Sequence, residues 1–210
     1  MRKQQFELVA VEGNIGVGKS TLVPKLVEHL NSIDERPWKM ILEDVDTNPE
    51  FKRLLAEFTQ DPTKRINFQR FITNHRASLC ADLDPSYNYV LERSLYSDLV
   101  FCQANLQEAC RPDGEDLTYY YDIWDKLDAY PKVTSVLYLK SSPQIAYQRM
   151  LSRARAAENG TPYEYIKLIS DCHDAFLPHI CNRKDTMLLT EQWDNFGDSE
   201  RLARRVKHRL

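Results

Sequence analysis

The chain has 210 residues, 42% hydrophobic and 28% charged, a soluble-globular composition that fits one domain better than two. Folding at this size buries roughly 70% of the unfolded surface, so the core needs neither a disulfide nor a structural metal. A net charge of −3 argues against a protein that coats nucleic acid.

Cys80, Cys102, Cys110, Cys172 and Cys181 are odd in number and form no C-x-x-C pair, the usage expected of reduced thiols in a cytoplasmic protein. The apolar run after Arg2 and Lys3 is short and broken by Glu7, so no signal peptide is expected, and nothing is apolar over a membrane-spanning length.

Phe6 to Val11 is a strand candidate that runs into a glycine-rich turn, and Lys19 to Leu30 follows helical spacing. Met40 to Leu42 is a second strand candidate, followed by Glu43, Asp44 and Asp46. Two helices are expected next, split near Asp61-Pro62, because the residue before a proline is pushed out of helical geometry. Tyr89 to Leu91 reads as a third strand, leading through Glu92-Arg93-Ser94 into another helix. Arg111 to Gly114 is a loop, and Asp116 to Tyr130 a helix stopped by Pro131. Val133 to Leu139 is the clearest strand; Pro143 to Leu151 is helical, and Ala156 to Pro162 breaks the pattern. Tyr163 to Leu177 carries a helical apolar stripe, Thr186 to Leu189 is the last strand, and a basic helix closes the chain. Strands alternating with helices predict an α/β fold, a three-layer α/β/α domain around a five-stranded parallel sheet, spanning residues 1–210 without a linker.

Gly13-Asn14-Ile15-Gly16-Val17-Gly18-Lys19-Ser20 fits G-x-x-x-x-G-K-[ST], placed between a predicted strand and a predicted helix. Its glycines let successive N–H groups converge on phosphate oxygens, and the helix that follows presents its positive end to the same anion. Lys19 then reaches the β- and γ-phosphates of ATP, and the Ser20 hydroxyl is a Mg²⁺ ligand. GTPase guanine-recognition motifs such as N-K-x-D are absent. In such sheets ligands sit at the carboxyl ends of strands. Glu12, Glu43 and Glu92-Arg93 all fall there; Glu43 is either a proton acceptor for an attacking hydroxyl or a solvated acid beside Asp44 and Asp46.

Together, the stretch from Glu12 to Thr21, the triplet Glu92-Arg93-Ser94 and the run Arg153-Ala154-Arg155-Ala156-Ala157-Glu158 resemble the deoxynucleoside kinases, over about residues 6 to 180. That family includes deoxycytidine, deoxyguanosine and mitochondrial-type thymidine kinases. The resemblance implies a P-loop fold with an arginine-rich lid at about residues 149–162, ATP as donor, Mg²⁺ and a homodimer. It places Glu43 as the base that takes the proton of the nucleoside 5′-hydroxyl, although Asp44 stands where the family usually has proline. Arg93 stabilises charge near the 5′-oxygen, and Glu92 organises the metal or its waters. Arg149, Arg153 and Arg155 belong to the lid over the ATP phosphates, with Arg149 and Arg153 on one helical face at i,i+4. Glu158 binds sugar hydroxyls. Thr59 occupies the position of a sugar-binding tyrosine, so either it makes a weaker bond or the 3′-hydroxyl is held differently.

Gln69 and Arg76 share a strip flanking the apolar face of Phe68, Phe71, Ile72 and Leu79. By resemblance Gln69 reads the base edge, and Arg76 with Asp98 matches a pair from the deoxycytidine and deoxyguanosine branch. A carboxylate there favours an exocyclic amine over the acceptor oxygen of thymine, so deoxyadenosine, deoxyguanosine or deoxycytidine is expected ahead of thymidine. An ordinary ion pair between helices is the other reading of Arg76 and Asp98.

The five histidines show no metal-ligand spacing. The basic run Arg201, Arg204, Arg205, Lys207, Arg209 reads as a solvated helix face, and Tyr119-Tyr120-Tyr121 with Trp124 as helix packing or a subunit interface. Two other functions stay open: a nucleoside monophosphate kinase, and a non-catalytic, kinase-like subunit of a larger complex.

Overall fold

The computed structural model describes residues 6–44, 46–108 and 114–208; Cys110, residues 111–113 of the expected loop, and Arg209 lie outside them. Five strands, β1 (Leu8–Gly13), β2 (Trp38–Ile41), β3 (Asn88–Glu92), β4 (Ser135–Lys140) and β5 (Met187–Gln192), form one parallel sheet in the order β2-β3-β1-β4-β5. The helices are α1 (Lys19–Ile33), α2 (Pro49–Gln60), α3 (Arg65–Leu79), α4 (Leu95–Glu108), α5 (Gly114–Ala129), α6 (Pro143–Arg153), α7 (Tyr163–Arg183) and α8 (Ser199–His208). Short 3-10 turns stand at Pro62–Lys64 and Ala156–Glu158.

The period-2 geometry of the strands divides the core into two. Leu8, Ala10, Tyr89, Leu91, Val136 and Tyr138 pack with α4, α5 and α7, whereas Val9, Val11, Val90, Leu137 and Leu139 pack with α1 and α8. Both faces of β1 are therefore covered, which is why it reads as an unbroken apolar run. Among the described residues no helix is long and apolar enough to cross a membrane.

The expected strands are all present, all with moved bounds; β1 and β4 both start two residues later than expected and end one or two later. β2 starts earlier, at Trp38, because its register pairs Trp38 with Asn88 and Ile41 with Leu91. Leu42 and Glu43 are thereby released from the sheet. β5 runs on to Gln192, paired with Lys140 of β4, through polar residues that carry no apolar signal.

α2 is started by Pro49 and by the Asn48 side chain, which accepts from the Glu50 and Phe51 amides; a cap of this kind contributes about 1 kcal/mol. Phe51, Leu55, Ile72, Phe68 and Phe71 then clamp α2 to α3. The basic face of α8 is paired: Arg201 and Arg205 with Glu191, Arg204 with Glu200, and Lys207 with Asp34.

Candidate active site

The loops leaving β1, β2 and β3 converge with α3, α4 and the α6–α7 turn around a cavity of about 610 Å³. At one end lies the loop of residues 13–20. Gly13, Gly16 and Gly18 all have positive φ, and a side chain on Gly16 would meet Ala146 O at 2.2 Å. Asn14 anchors the loop from behind, its Nδ2 donating to Ile166 O (2.7 Å) and Ser170 Oγ (2.6 Å) of α7. Ile15, Gly16, Gly18, Lys19, Ser20 and Thr21 line the cavity. Val17 turns instead into the core beside α1.

Lys19 is buried, and its Nζ donates to Gly13 O (3.2 Å) and Asn14 O (2.8 Å). Burial first, then the Arg93 charge, pull its pKa down to about 7. Ser20 Oγ donates to Glu92 Oε1 at 2.6 Å, so a hydroxyl and a carboxylate oxygen stand together beside the phosphate loop. Glu12 does not face the cavity. Its buried carboxylate accepts from the Ser94 amide (2.9 Å), Ser94 Oγ (2.7 Å) and Ser97 Oγ, tying β1 to the start of α4.

Arg93 has φ +66°, a conformation that costs a side-chain-bearing residue on the order of 1–2 kcal/mol. Its surroundings hold it there: Nη1 donates to Gly13 O (2.9 Å) and Ser97 Oγ (3.1 Å), and the guanidinium lies 4.9 Å over the Phe101 ring. Arg93 Nε stands 3.6 Å from Glu43 Oε2. Arg76 binds Glu43 with one terminal nitrogen and Asp98 with the other. Burial by itself raises the Glu43 pKa, but Arg76, Arg93 and Lys19 outweigh it and hold the carboxyl down at about 2. At Asp98 burial wins over Arg76 and pushes the pKa up to about 6. Asp98 Oδ2, Gln69 Nε2 and Arg76 Nε, in residues that line the cavity, are all buried without a hydrogen-bond partner among the described residues. Unmet groups of this kind are costly unless a ligand meets them.

The arginines expected in the lid take several directions. Arg149 and Arg153 both lie on α6, as expected, but Arg149 donates to the carbonyls of Val17 (3.2 Å), Trp193 (2.9 Å) and Asp194 (2.6 Å) and stacks over Phe196 at 4.3 Å. Arg153 meets both oxygens of Glu158, at 2.6 and 2.7 Å. Arg155 bridges Glu158 (3.0 Å) and Asp46 (2.6 and 2.9 Å). The Thr59 hydroxyl lies 2.9 Å from Leu55 O and 3.0 Å from Ala157 O, joining α2 to the lid turn.

Sequence reasoning missed Phe101, Asn105, Tyr165 and Phe196, which also line the cavity. Phe101 was reachable, since it lies three residues after Asp98 on one face of α4. Phe196 follows the last strand with no periodic signal around it.

Comparison with known proteins places the chain in a family. The profile described as deoxynucleoside kinase matches residues 9–210. The chain is 30% identical over 203 residues to a deoxyguanosine kinase of Dictyostelium discoideum, covering 91% of this chain and 66% of that one. It is 32% identical over 174 residues to a probable deoxycytidine kinase of fowlpox virus, covering 80% of this chain and 71% of the relative. A deoxyadenosine kinase from M. mycoides, solved with bound dCTP, superposes with a TM-score of 0.77 at 19% identity, covering 97% of this chain and all of that one. The chain belongs to the deoxynucleoside kinase family.

Proposed function

We propose that this enzyme transfers the γ-phosphoryl group of ATP to the 5′-hydroxyl of a deoxynucleoside, releasing ADP and the 5′-monophosphate, and that it favours deoxyadenosine, deoxyguanosine or deoxycytidine over thymidine. The observation that carries this reading is the Arg76 guanidinium joined to Glu43 on one side and Asp98 on the other, in a cavity that ends at the phosphate loop.

The loop amides and Lys19 hold the triphosphate, and protonation of Lys19 completes its charge. Ser20 Oγ and Glu92 supply hard oxygen ligands suited to Mg²⁺, which neutralises phosphate charge when bound. Glu43, kept ionised, accepts a hydrogen bond from the 5′-hydroxyl and aligns it with the γ-phosphorus. With so low a pKa it is a weak base in the ground state. The proton passes to it late, as the new P–O bond makes the attacking oxygen acidic. Arg93 and the lid residues Arg153 and Arg155 meet charge on the transferring group. Most of the acceleration is positioning and electrostatics.

At the base end, Asp98 Oδ2 accepts from the exocyclic amine of adenine or cytosine while Gln69 Nε2 donates to the neighbouring ring nitrogen. Guanine and thymine both turn an oxygen toward the same place and call on Arg76, and thymine adds a methyl group beside it. Glu158 takes the sugar hydroxyl, since the Thr59 hydroxyl faces two carbonyls.

The test is ATP-dependent phosphorylation of all four deoxynucleosides, with their monophosphates in parallel. Turnover of the amino-base substrates with little thymidine is expected, together with a loss of about 100-fold or more in kcat for Glu43→Gln. Strong thymidine turnover removes the base-readout argument; activity on monophosphates alone makes this a monophosphate kinase; no phosphotransfer at all leaves the kinase-like subunit.

A further inference from the structure

β2 ends at Ile41, so Glu43 belongs to no strand or helix and its direction depends on what holds the connection from β2 to α2. Helix α3 reaches that connection twice in succession. Arg76 pairs with Glu43, and the preceding His75 pairs with the following Asp44, Nε2 lying 2.8 Å from Oδ1. A carboxylate only accepts, so the shared proton sits on Nε2. The ring plane is set by Phe71, one turn earlier on α3, on which His75 stacks at 5.8 Å and 5°.

Asp44 in turn organises the connection. Its main-chain carbonyl accepts from the amides of Thr47 (3.0 Å) and Asn48 (2.9 Å), and its second carboxylate oxygen accepts from Asn48 Nδ2 at 3.2 Å. Asn48 is the cap of α2. The bond from His75 therefore fixes a turn whose one end is Glu43 and whose other end is a helix start. His75 is not among the residues that line the cavity.

We propose that His75, through its hydrogen bond to Asp44, is a positioning residue for phosphoryl transfer, holding the backbone that aims the Glu43 carboxylate at the attacking hydroxyl. This rests on the reading of Glu43 as the proton acceptor. The pair is partly open to water, His75 side chain 21% and Asp44 33% exposed, so its worth lies in geometry more than in stability.

His75→Phe keeps a ring to stack on Phe71 and deletes the donor; Asp44→Ala deletes the acceptor. Both, with their double variant and Glu43→Gln, are assayed at saturating ATP. Each single variant is expected to lower kcat about tenfold or more, with the nucleoside KM within about twofold, because small misalignments of a reacting group are expensive in rate. The double variant is no slower than the slower single, since both break one bond. His75→Gln, which retains a donor, recovers most of the loss. Wild-type kcat in His75→Phe and Asp44→Ala, beside an inactive Glu43→Gln, overturns the positioning role and leaves the proton acceptor in place. A raised KM at unchanged kcat, or losses that multiply in the double variant, overturns it as well. An active Glu43→Gln removes the proton acceptor and this proposal with it. If His75→Phe does not fold, Asp44→Ala reads the same two constants.

Discussion

Asp98 and Glu43 share one guanidinium and are driven in opposite directions: at Asp98 burial outweighs Arg76 and a hydrogen bond from Thr73, while at Glu43 burial is outweighed by the charges of Arg76, Arg93 and Lys19. For Asp98 the folded pKa of about 6 stands above the ordinary 3.8, so the folded protein holds that proton more firmly and the group's contribution to stability falls as pH rises between the two values. The consequence for binding is sharper. As pH falls through about 6, Asp98 gains a proton and can no longer accept from a base amine with both oxygens. The KM for deoxycytidine or deoxyadenosine should rise by up to about tenfold per pH unit below that point, while thymidine, which offers an acceptor, loses less. In Asp98→Asn the amine substrates should bind poorly throughout and the acidic limb should vanish. KM–pH profiles for the two substrate types on both proteins decide it; an unchanged limb in the variant assigns the titration elsewhere.

At the scale of elements, the phosphate loop is seated on α6, the helix that precedes the turn at Ala156–Glu158. Gly16 has φ +77°, and an added Cβ would lie 2.2 Å from Ala146 O and 2.8 Å from Met150 N, both main-chain atoms of α6 that cannot swing aside. Gly16→Ala should therefore displace α6, which carries Arg149 and Arg153, and lower kcat/KM for ATP by about 100-fold while deoxynucleoside binding survives. Gly18→Ala meets only the Phe196 ring as a contact, and its own penalty is the φ of +104°. Separate titrations of ATP and nucleoside on the Gly16 variant check this; equal losses for both would mean general unfolding. The phosphate loop and the succession of strands and helices along the chain were legible because their signals are local: glycine spacing, apolar runs and a proline break. The meeting of Gln69, Arg76 and Asp98 was legible only by resemblance, since two of them lie on α3 and one on α4. The pairing of Arg149 with three main-chain carbonyls was not legible, because carbonyls carry no sequence signature. Nor was the His75 bond to Asp44, whose partners lie 31 residues apart.

At the scale of the whole molecule, a buried histidine packs between β4 and the cavity-lining Phe101, with ring centroids 5.7 Å from Tyr138 and 6.0 Å from Phe101. His173 donates from Nδ1 to Ile169 O at 2.8 Å, stacks on Tyr138 and leaves Nε2 buried without a partner among the described residues. Burial pulls its pKa down to about 3 from the ordinary 6.5, so the unfolded chain takes up this proton first and stability is lost as pH falls from 6.5 toward 3. Glu43 adds to that loss below its ordinary 4.5, and Asp98 opposes it. His173→Phe keeps the stack and removes the proton site, so its Tm should gain on the wild type by about 3–5 °C for each pH unit that the solution is acidified below 6.5. Parallel melting curves check it, and a constant offset between the two proteins would place the acid sensitivity elsewhere. The bridge at Arg76 has a further consequence for how the enzyme chooses among nucleosides. On the roles proposed for Asp98 and Glu43, one guanidinium touches both the carboxylate that meets the base and the carboxylate that meets the hydroxyl, so a base that fits badly disturbs the aim of the reaction along with the grip on the substrate. Discrimination is then expressed in turnover as much as in affinity, and a poor nucleoside stays a slow one even at saturation.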